Sequence, residues 1–172
     1  AQRVFAERGD EIAGMIIEPM MMNAGIIPPH DGYLAALRDI GHRNGALLTF
    51  DEVKTGVVVA WGGATELFGV TPDIICLAKA LGGGVPCGAI GGTADVMSAI
   101  SEGRYDQVGT FNGNPLTMAA AKAVLTEVLT PASYRQALTT RLKIMCDLDI
   151  SEKRKPQDGK IKFKKFGPLD IE

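Results

Sequence analysis

Several features that would mark a particular class of protein are scarce in this chain. Its 172 residues include only two histidines and three cysteines. The histidines, His30 and His42, lie too far apart along the chain for a local metal-ligand motif, and the cysteines form no CxxC pair, so we expect no metal. The cysteines are Cys76, Cys87 and Cys146. We expect these thiols to be reduced, as they are in the cytoplasm.

Other absences narrow the possible partners. The formal net charge of −2 gives no sign of a nucleic-acid or membrane partner. A secretory signal peptide and a membrane-spanning apolar run are both missing, so a cytoplasmic location is expected. Neither GxGxxG nor GxxxxGK[ST] occurs, which argues against a dinucleotide or ATP site. The apolar fraction of 46% and the charged fraction of 22% are typical of a globular protein.

Apolar runs of strand length alternate with helical patterns. The runs at 13–17, 46–50 and 73–78 predict strands, and Leu34, Leu37 and Ile40 recur at helical spacing between the first two. Asp31 is the expected N-cap of that helix. The segment 82–92 is too rich in glycine for an ordinary strand. The alternation predicts an α/β fold, with a mostly parallel sheet and crossover helices.

Ionisable residues follow each of these predicted strands. Glu18 follows the first, Asp51 the second and Lys79 the third. Because the carboxyl ends of parallel strands meet at one edge, we expect these residues to share a site. A lysine there can form a Schiff base with a carbonyl substrate or with pyridoxal phosphate, and an aspartate can keep the pyridine nitrogen protonated.

Each of these residues also has a plainer interpretation. Asp51 and Glu52 could simply cap a following helix, and Lys79 could be a solvated lysine at a strand end. Two further lysines compete for the nucleophile's role, Lys54 directly after the acid pair and Lys122 on a predicted helix surface. The turn 109–115 before another predicted helix offers amides and the Thr110 hydroxyl to a phosphate, or it only caps that helix.

Three segments taken together resemble the class III pyridoxal-phosphate aminotransferases, and especially the glutamate-1-semialdehyde aminomutase side of that family. They are FDEVKTG at 50–56, PDIICLAKALGGG at 72–84 and GTFNGNP at 109–115. The resemblance extends from about residue 13 to about residue 138. It implies that residues 1–138 are part of the large domain of a fold-type I enzyme, which transfers an amino group between small molecules or within one.

The resemblance also implies roles for individual residues. Lys79 would carry the cofactor as a Schiff base and later act as acid and base. Asp51 would pair with the pyridine nitrogen, and Val53 would pack against the ring. Thr110 would reach the cofactor phosphate of a neighbouring subunit, which implies a homodimer. The family's upstream phosphate loop and downstream domain are missing from the sequence, so we expect the chain to begin within a domain and to be inactive alone.

The last part of the sequence has a different character. Residues 139–172 are rich in lysine and poor in glycine. From about residue 141 they resemble the secretion and pilus-assembly ATPases, in the segment before the nucleotide domain, and Asp158 with Gly159 could form a hairpin turn. A second hypothesis is therefore a non-catalytic binding or assembly protein.

Val57 to Ala60 depart from the aminotransferase pattern, which commonly has an aromatic residue and an arginine there.

Overall fold

A four-stranded mixed sheet lies at the centre of the computed structural model, which describes residues 1–128. The strands, in their spatial order, are β1 (Gly14–Ile17), β2 (Leu47–Asp51), β3 (Ile74–Ala78) and β4 (Gly88–Gly92). The first three run parallel and β4 is antiparallel to β3. This confirms the predicted fold class. The predicted boundary at residue 138, the hairpin and the resemblance of the tail all lie outside the described residues.

Five helices accompany the sheet within the described residues. They are α1 (Gln2–Arg8), α2 (Tyr33–Arg43), α3 (Gly63–Phe68), α4 (Ala94–Ser101) and α5 (Pro115–Ala123). Short 3₁₀ segments follow α1 and β3, at Gly9–Glu11 and Lys79–Gly82, and a π-helical segment, Val124–Val128, continues α5. None of the helices in this part of the chain is both long and apolar enough to span a membrane.

The core lies between α2 and one face of the sheet. Leu34 of α2 packs with Leu48 and Phe50 of β2 and with Val70, and all four are buried. Alternation along β2 sends Leu48 and Phe50 to this side and Thr49 and Asp51 to the other. On that other face Ile16 is 63% exposed. The sheet is therefore buried on one side and open on the side that carries Asp51.

The start of α2 differs from the prediction. Gly32, and not Asp31, occupies the N-cap position, and no side chain caps the helix there. Gly32 has a φ of 76°, which glycine adopts without the steric cost of a side chain. The turn into α2 is therefore set by backbone conformation rather than by a carboxylate cap.

The glycine-rich segment also differs from the prediction, because its second half is a regular strand. All five residues of β4 pair with β3, from Gly88 opposite Ala78 to Gly92 opposite Ile74. Strand pairing uses only backbone groups, so glycine does not prevent it. A Cβ on Gly92 would lie 2.6 Å from the Asp73 carbonyl oxygen. Glycine permits this close approach.

Candidate functional site

Three parallel strands bring the predicted ionisable residues to one edge of the sheet. Because β1, β2 and β3 run in the same direction, Glu18, Asp51 and Lys79 all lie at their carboxyl ends. In the register of the sheet Asp51 stands opposite Cys76. Lys79 comes three residues after Cys76, which is about 10 Å further at roughly 3.3 Å per residue if the strand continued. The two residues therefore border one area from different positions along the strands.

Asp51 is held by its own turn and keeps one oxygen free. Its Oδ1 accepts a hydrogen bond of 3.0 Å from the backbone N–H of Val53. Within residues 1–128 no group donates to Oδ2, although the side chain is half-buried. Burial, and then the negative charge of Asp51, raise the pKa of the Cys76 thiol on the neighbouring strand. A half-buried carboxylate with a free oxygen suits a cationic or N–H ligand.

Lys79 is also without a partner in the described part of the chain. It is exposed, and no hydrogen bond or ion pair there involves its ammonium. Lys54, by contrast, donates from Nζ to Asn23 Oδ1. Lys122 is exposed on α5 and does not follow a strand. Of the three candidate lysines, Lys79 combines a free amine with a place at the exit of a parallel strand.

Backbone strain occurs in the segments that follow the three parallel strands. The non-glycine residues with positive φ among residues 1–128 are Ile26 (59°), Val57 (50°) and Lys79 (46°). Each lies in the segment that leaves one of the three parallel strands. Such conformations cost about 1–2 kcal/mol for a residue with a Cβ, and they cluster at functional sites. Of the three, Lys79 directly follows its strand, so the strain includes the candidate nucleophile.

Glu52 has a more definite role than the sequence revealed. Its side chain is fully buried, and it accepts hydrogen bonds from Thr55 and from Ala64 and Thr65 at the start of α3. The plainer interpretation, a capping pair directly before a helix, is wrong in its position, because no helix begins at this turn and Gly62 is the N-cap of α3. Glu52 instead accepts from N–H groups in the first turn of α3, which begins eleven residues further on. In the sequence, the glycines at 62 and 63 were the available sign of this contact, because a Cβ at Gly63 would overlap the Glu52 carboxylate.

The turn before α5 caps its helix. Asn114 Oδ1 accepts from the backbone N–H groups of Leu116 and Thr117, at 3.0 and 3.2 Å, as the plainer interpretation predicted. Thr110 lies in the exposed part of this turn and, within the described residues, has no hydrogen bond to Asp51, Val53 or Lys79. Within residues 1–128 no hydrogen bond therefore joins Thr110 to the other predicted site residues.

The histidines have different surroundings. His42 Nε2 lies 2.9 Å from Asp73 Oδ2, at the opposite edge of the sheet. His30 is exposed and lines an open pocket of about 470 Å³ beside Glu18 and Tyr33. No group of three His, Cys, Asp or Glu residues within residues 1–128 is arranged to hold a metal ion.

Fold and site together define an α/β domain of the kind that holds a ligand at the carboxyl edge of its sheet. The family model described as Aminotransferase class-III matches residues 1–164. The chain therefore belongs to the class III aminotransferase family, and the resemblance carried by its three segments is confirmed.

Relatives and solved structures agree with this assignment. Glutamate-1-semialdehyde 2,1-aminomutase 2 of Bacillus pumilus (strain SAFR-032) is 52% identical over 136 residues, which are 78% of this chain and 31% of that protein. An omega-transaminase from Sphaerobacter thermophilus matches with a TM-score of 0.78 and 36% identity, over 84% of this chain and 33% of that one. A transaminase with PLP bound matches with a TM-score of 0.74 and 28% identity, over 83% and 35%.

The chain spans about a third of the length of the relatives that it matches. None of the proteins reported above is a secretion ATPase or an assembly protein, so they give no support to the second hypothesis.

Proposed function

We propose that this chain is the lysine-bearing part of the large domain of a pyridoxal-phosphate-dependent enzyme, which transfers an amino group on an amino acid, an amino-aldehyde or a keto acid. The observation that carries the proposal is the pair of unpartnered groups, Asp51 Oδ2 and Lys79 Nζ, at the ends of neighbouring parallel strands. Family membership and the PLP-bound transaminase support it.

The residues present fit this cofactor. Its pyridine nitrogen and its aldehyde carbon lie on opposite sides of one ring, so the groups that hold them must stand apart, as Asp51 and Lys79 do in the register of the sheet. A half-buried carboxylate with a free oxygen can hold the proton of the ring nitrogen. Val53, half-buried and two residues after Asp51, offers an apolar surface to the ring.

Lys79 would have two tasks in this chemistry. When bound, pyridoxal phosphate supplies an electron sink that stabilises a carbanion at the substrate carbon. Lys79 Nζ would hold the cofactor through a covalent bond. As a free amine, the same Nζ would accept a proton from the substrate carbon and donate it to a second carbon, which the flexible four-carbon side chain allows.

A homodimer would complete the site. Thr110 is exposed and, within the described residues, has no hydrogen bond with Asp51 or Lys79, as expected if its hydroxyl binds the cofactor phosphate in another subunit. Val108 and Phe111 beside it are each 83% exposed, and Leu116 is 72% exposed. Apolar side chains exposed to this degree around one turn favour a protein partner at this surface.

The substrate class and the location rest on the names of the relatives and on the cysteines. Relatives at 46–52% identity are named as glutamate-1-semialdehyde aminomutases, whereas the solved transaminases described above are 28–36% identical. This difference favours amino transfer within one small amino-aldehyde over transfer between two molecules. Two half-buried free thiols, Cys76 and Cys87, favour a reducing compartment such as the cytoplasm.

Covalent trapping of the cofactor tests this proposal. The purified chain is mixed with pyridoxal phosphate and reduced with borohydride, and the labelled lysine is located by peptide mass spectrometry. We expect label on Lys79 in preference to Lys54 and Lys122, and its loss in Asp51→Ala. Label spread evenly over exposed lysines, unchanged by Asp51→Ala, would contradict the proposal. Because the chain spans about a third of the length of its relatives, we expect no turnover from the chain alone.

A further inference from the structure

Glu52 is fully enclosed, yet the proposed chemistry gives it no task. It lies directly after Asp51, and its side chain is 0% exposed. Its Oε2 accepts from Thr55 Oγ1 at 3.0 Å and from the Ala64 N–H at 2.5 Å. Its Oε1 accepts from the Thr65 N–H at 2.9 Å and from Thr65 Oγ1 at 2.7 Å. Both oxygens are thus surrounded by donors.

This environment suits a carboxylate and no close substitute. An ionised carboxyl group is acceptor-only and has lone pairs for all four of these donors. A glutamine would turn an NH₂ group toward donors that it cannot satisfy, and a buried unsatisfied donor costs about 1–3 kcal/mol. Since every lone pair is engaged inside the fold, Glu52 is placed to fix structure and not to exchange protons with a substrate.

The main chain connects Glu52 to Asp51. The Glu52 N–H donates to the Cys76 carbonyl at 3.0 Å, which extends the pairing of β2 and β3 beyond Asp51. The Glu52 carbonyl accepts from the Gly56 N–H at 2.8 Å and closes a turn. Val53, whose N–H donates to Asp51 Oδ1, belongs to this turn. Main-chain hydrogen bonds of Glu52 therefore close the turn that contains the amide that orients Asp51.

Two glycines leave the space that Glu52 needs. Gly63 has a φ of 65°, and a Cβ there would overlap Glu52 Oε2. A Cβ on Gly56 would come within 2.7 Å of the Glu52 carbonyl oxygen. Glycine therefore stands at both positions where a side chain would displace Glu52. The hydrogen bonds of Glu52 thus depend on several separate positions in the sequence.

We propose that Glu52 is a positioning residue that ties the turn after β2 to the start of α3 and so holds the Asp51 carboxyl toward the cofactor. The inference rests on the proposed function only in naming the cofactor as the group that Asp51 binds. The position of Asp51 itself can be measured without cofactor, because its charge acts on Cys76 across the strand pair.

The experiment measures the pKa of Cys76 in the full chain. The rate of alkylation is followed against pH, and peptide mass spectrometry separates Cys76 from Cys87 and Cys146. Asp51→Asn should lower the pKa of Cys76 by removing the nearby negative charge. If Glu52 positions Asp51, Glu52→Gln should lower the pKa of Cys76 as well, and the double variant should show no fall beyond that of Asp51→Asn.

Two further variants complete the test. Glu66→Gln changes an exposed glutamate of α3 that accepts from the Gly62 N–H at 2.5 Å, and it should leave the pKa of Cys76 unchanged. Thr65→Val removes one hydroxyl donor to Glu52 and should give a smaller fall than Glu52→Gln. If the Glu52→Gln protein does not fold, Thr65→Val replaces Glu52→Gln in the double variant.

Two outcomes would overturn the inference. If the pKa of Cys76 is the same in Glu52→Gln as in the wild type while Asp51→Asn still lowers it, Glu52 anchors α3 and nothing more. If the pKa of Cys76 is lower in the double variant than in Asp51→Asn, Glu52→Gln acts on Cys76 by another route, such as a general exposure of the sheet. Trapping on Lys79 reports separately on the proposed function, so a failure of one experiment is distinguishable from a failure of the other.

Discussion

The imidazole of His42 and the carboxyl group of Asp73 join α2 to the sheet at the edge opposite Lys79. His42 Nε2 lies 3.1 and 2.9 Å from the two carboxyl oxygens, and Asp73 Oδ2 also accepts from the Leu48 N–H at 2.7 Å. Burial alone would raise the pKa of Asp73. The hydrogen bond from Leu48 and the contacts with His42 outweigh burial, and they hold the pKa below its ordinary value of 3.8.

This arrangement predicts a loss of stability in acid. A carboxyl group with a lowered pKa contributes stability that is fully present above its unfolded value, near 3.8, and is lost as the pH falls through the folded value. Asp73→Asn should therefore lower the free energy of unfolding at pH 7 by about 1–3 kcal/mol. The difference from wild type should shrink below pH 4, as measured by urea unfolding. Asp39→Asn, on the exposed side of α2, is the control, and an equal loss there would contradict the prediction.

A second prediction concerns the space beside Glu52. Gly63 and Gly45 both have positive φ, but a Cβ on Gly45 would meet no atom within 4 Å, whereas one on Gly63 would overlap Glu52 Oε2. Gly45→Ala should cost about 1–2 kcal/mol of backbone strain. Gly63→Ala should cost about 1–3 kcal/mol more, because Glu52 must leave some of its donors. Equal losses in urea unfolding would show that the Glu52 network yields without cost.

The sequence predicted the fold and the site to different degrees. Strand periodicity placed Asp51 and Lys79 at strand ends correctly, because apolar runs of strand length report local burial. It could not show that Glu52 reaches Ala64 and Thr65, since a contact across more than ten residues leaves no local pattern. It also missed β4, because strand pairing depends on the neighbouring backbone, and a glycine run carries no side chains from which burial can be inferred.

A third prediction concerns the turn that carries Thr110. Asn114 caps α5 through two backbone N–H groups, and such caps contribute typically about 1 kcal/mol. Asn114→Ala should therefore lower the free energy of unfolding by about that amount. Asn112→Ala, in the same turn, removes only a 3.4 Å contact with the Gln107 carbonyl and should cost less. If both variants lose the same stability, the turn and not the cap supports α5.

The last prediction separates stability from function at Lys79. Its φ of 46° is a conformation in which a Cβ costs about 1–2 kcal/mol and glycine none. Lys79→Gly should therefore be more stable to urea than Lys79→Ala, by about 0.5–1 kcal/mol after the greater unfolded-state entropy of glycine is deducted. Lys54 does not have a positive φ. At that position we therefore expect the alanine variant to be more stable than the glycine variant. If alanine is the more stable replacement at both positions, Lys79 is not strained. A strained lysine that glycine stabilises would instead be kept for what its amine does, since the fold alone would be better served by glycine.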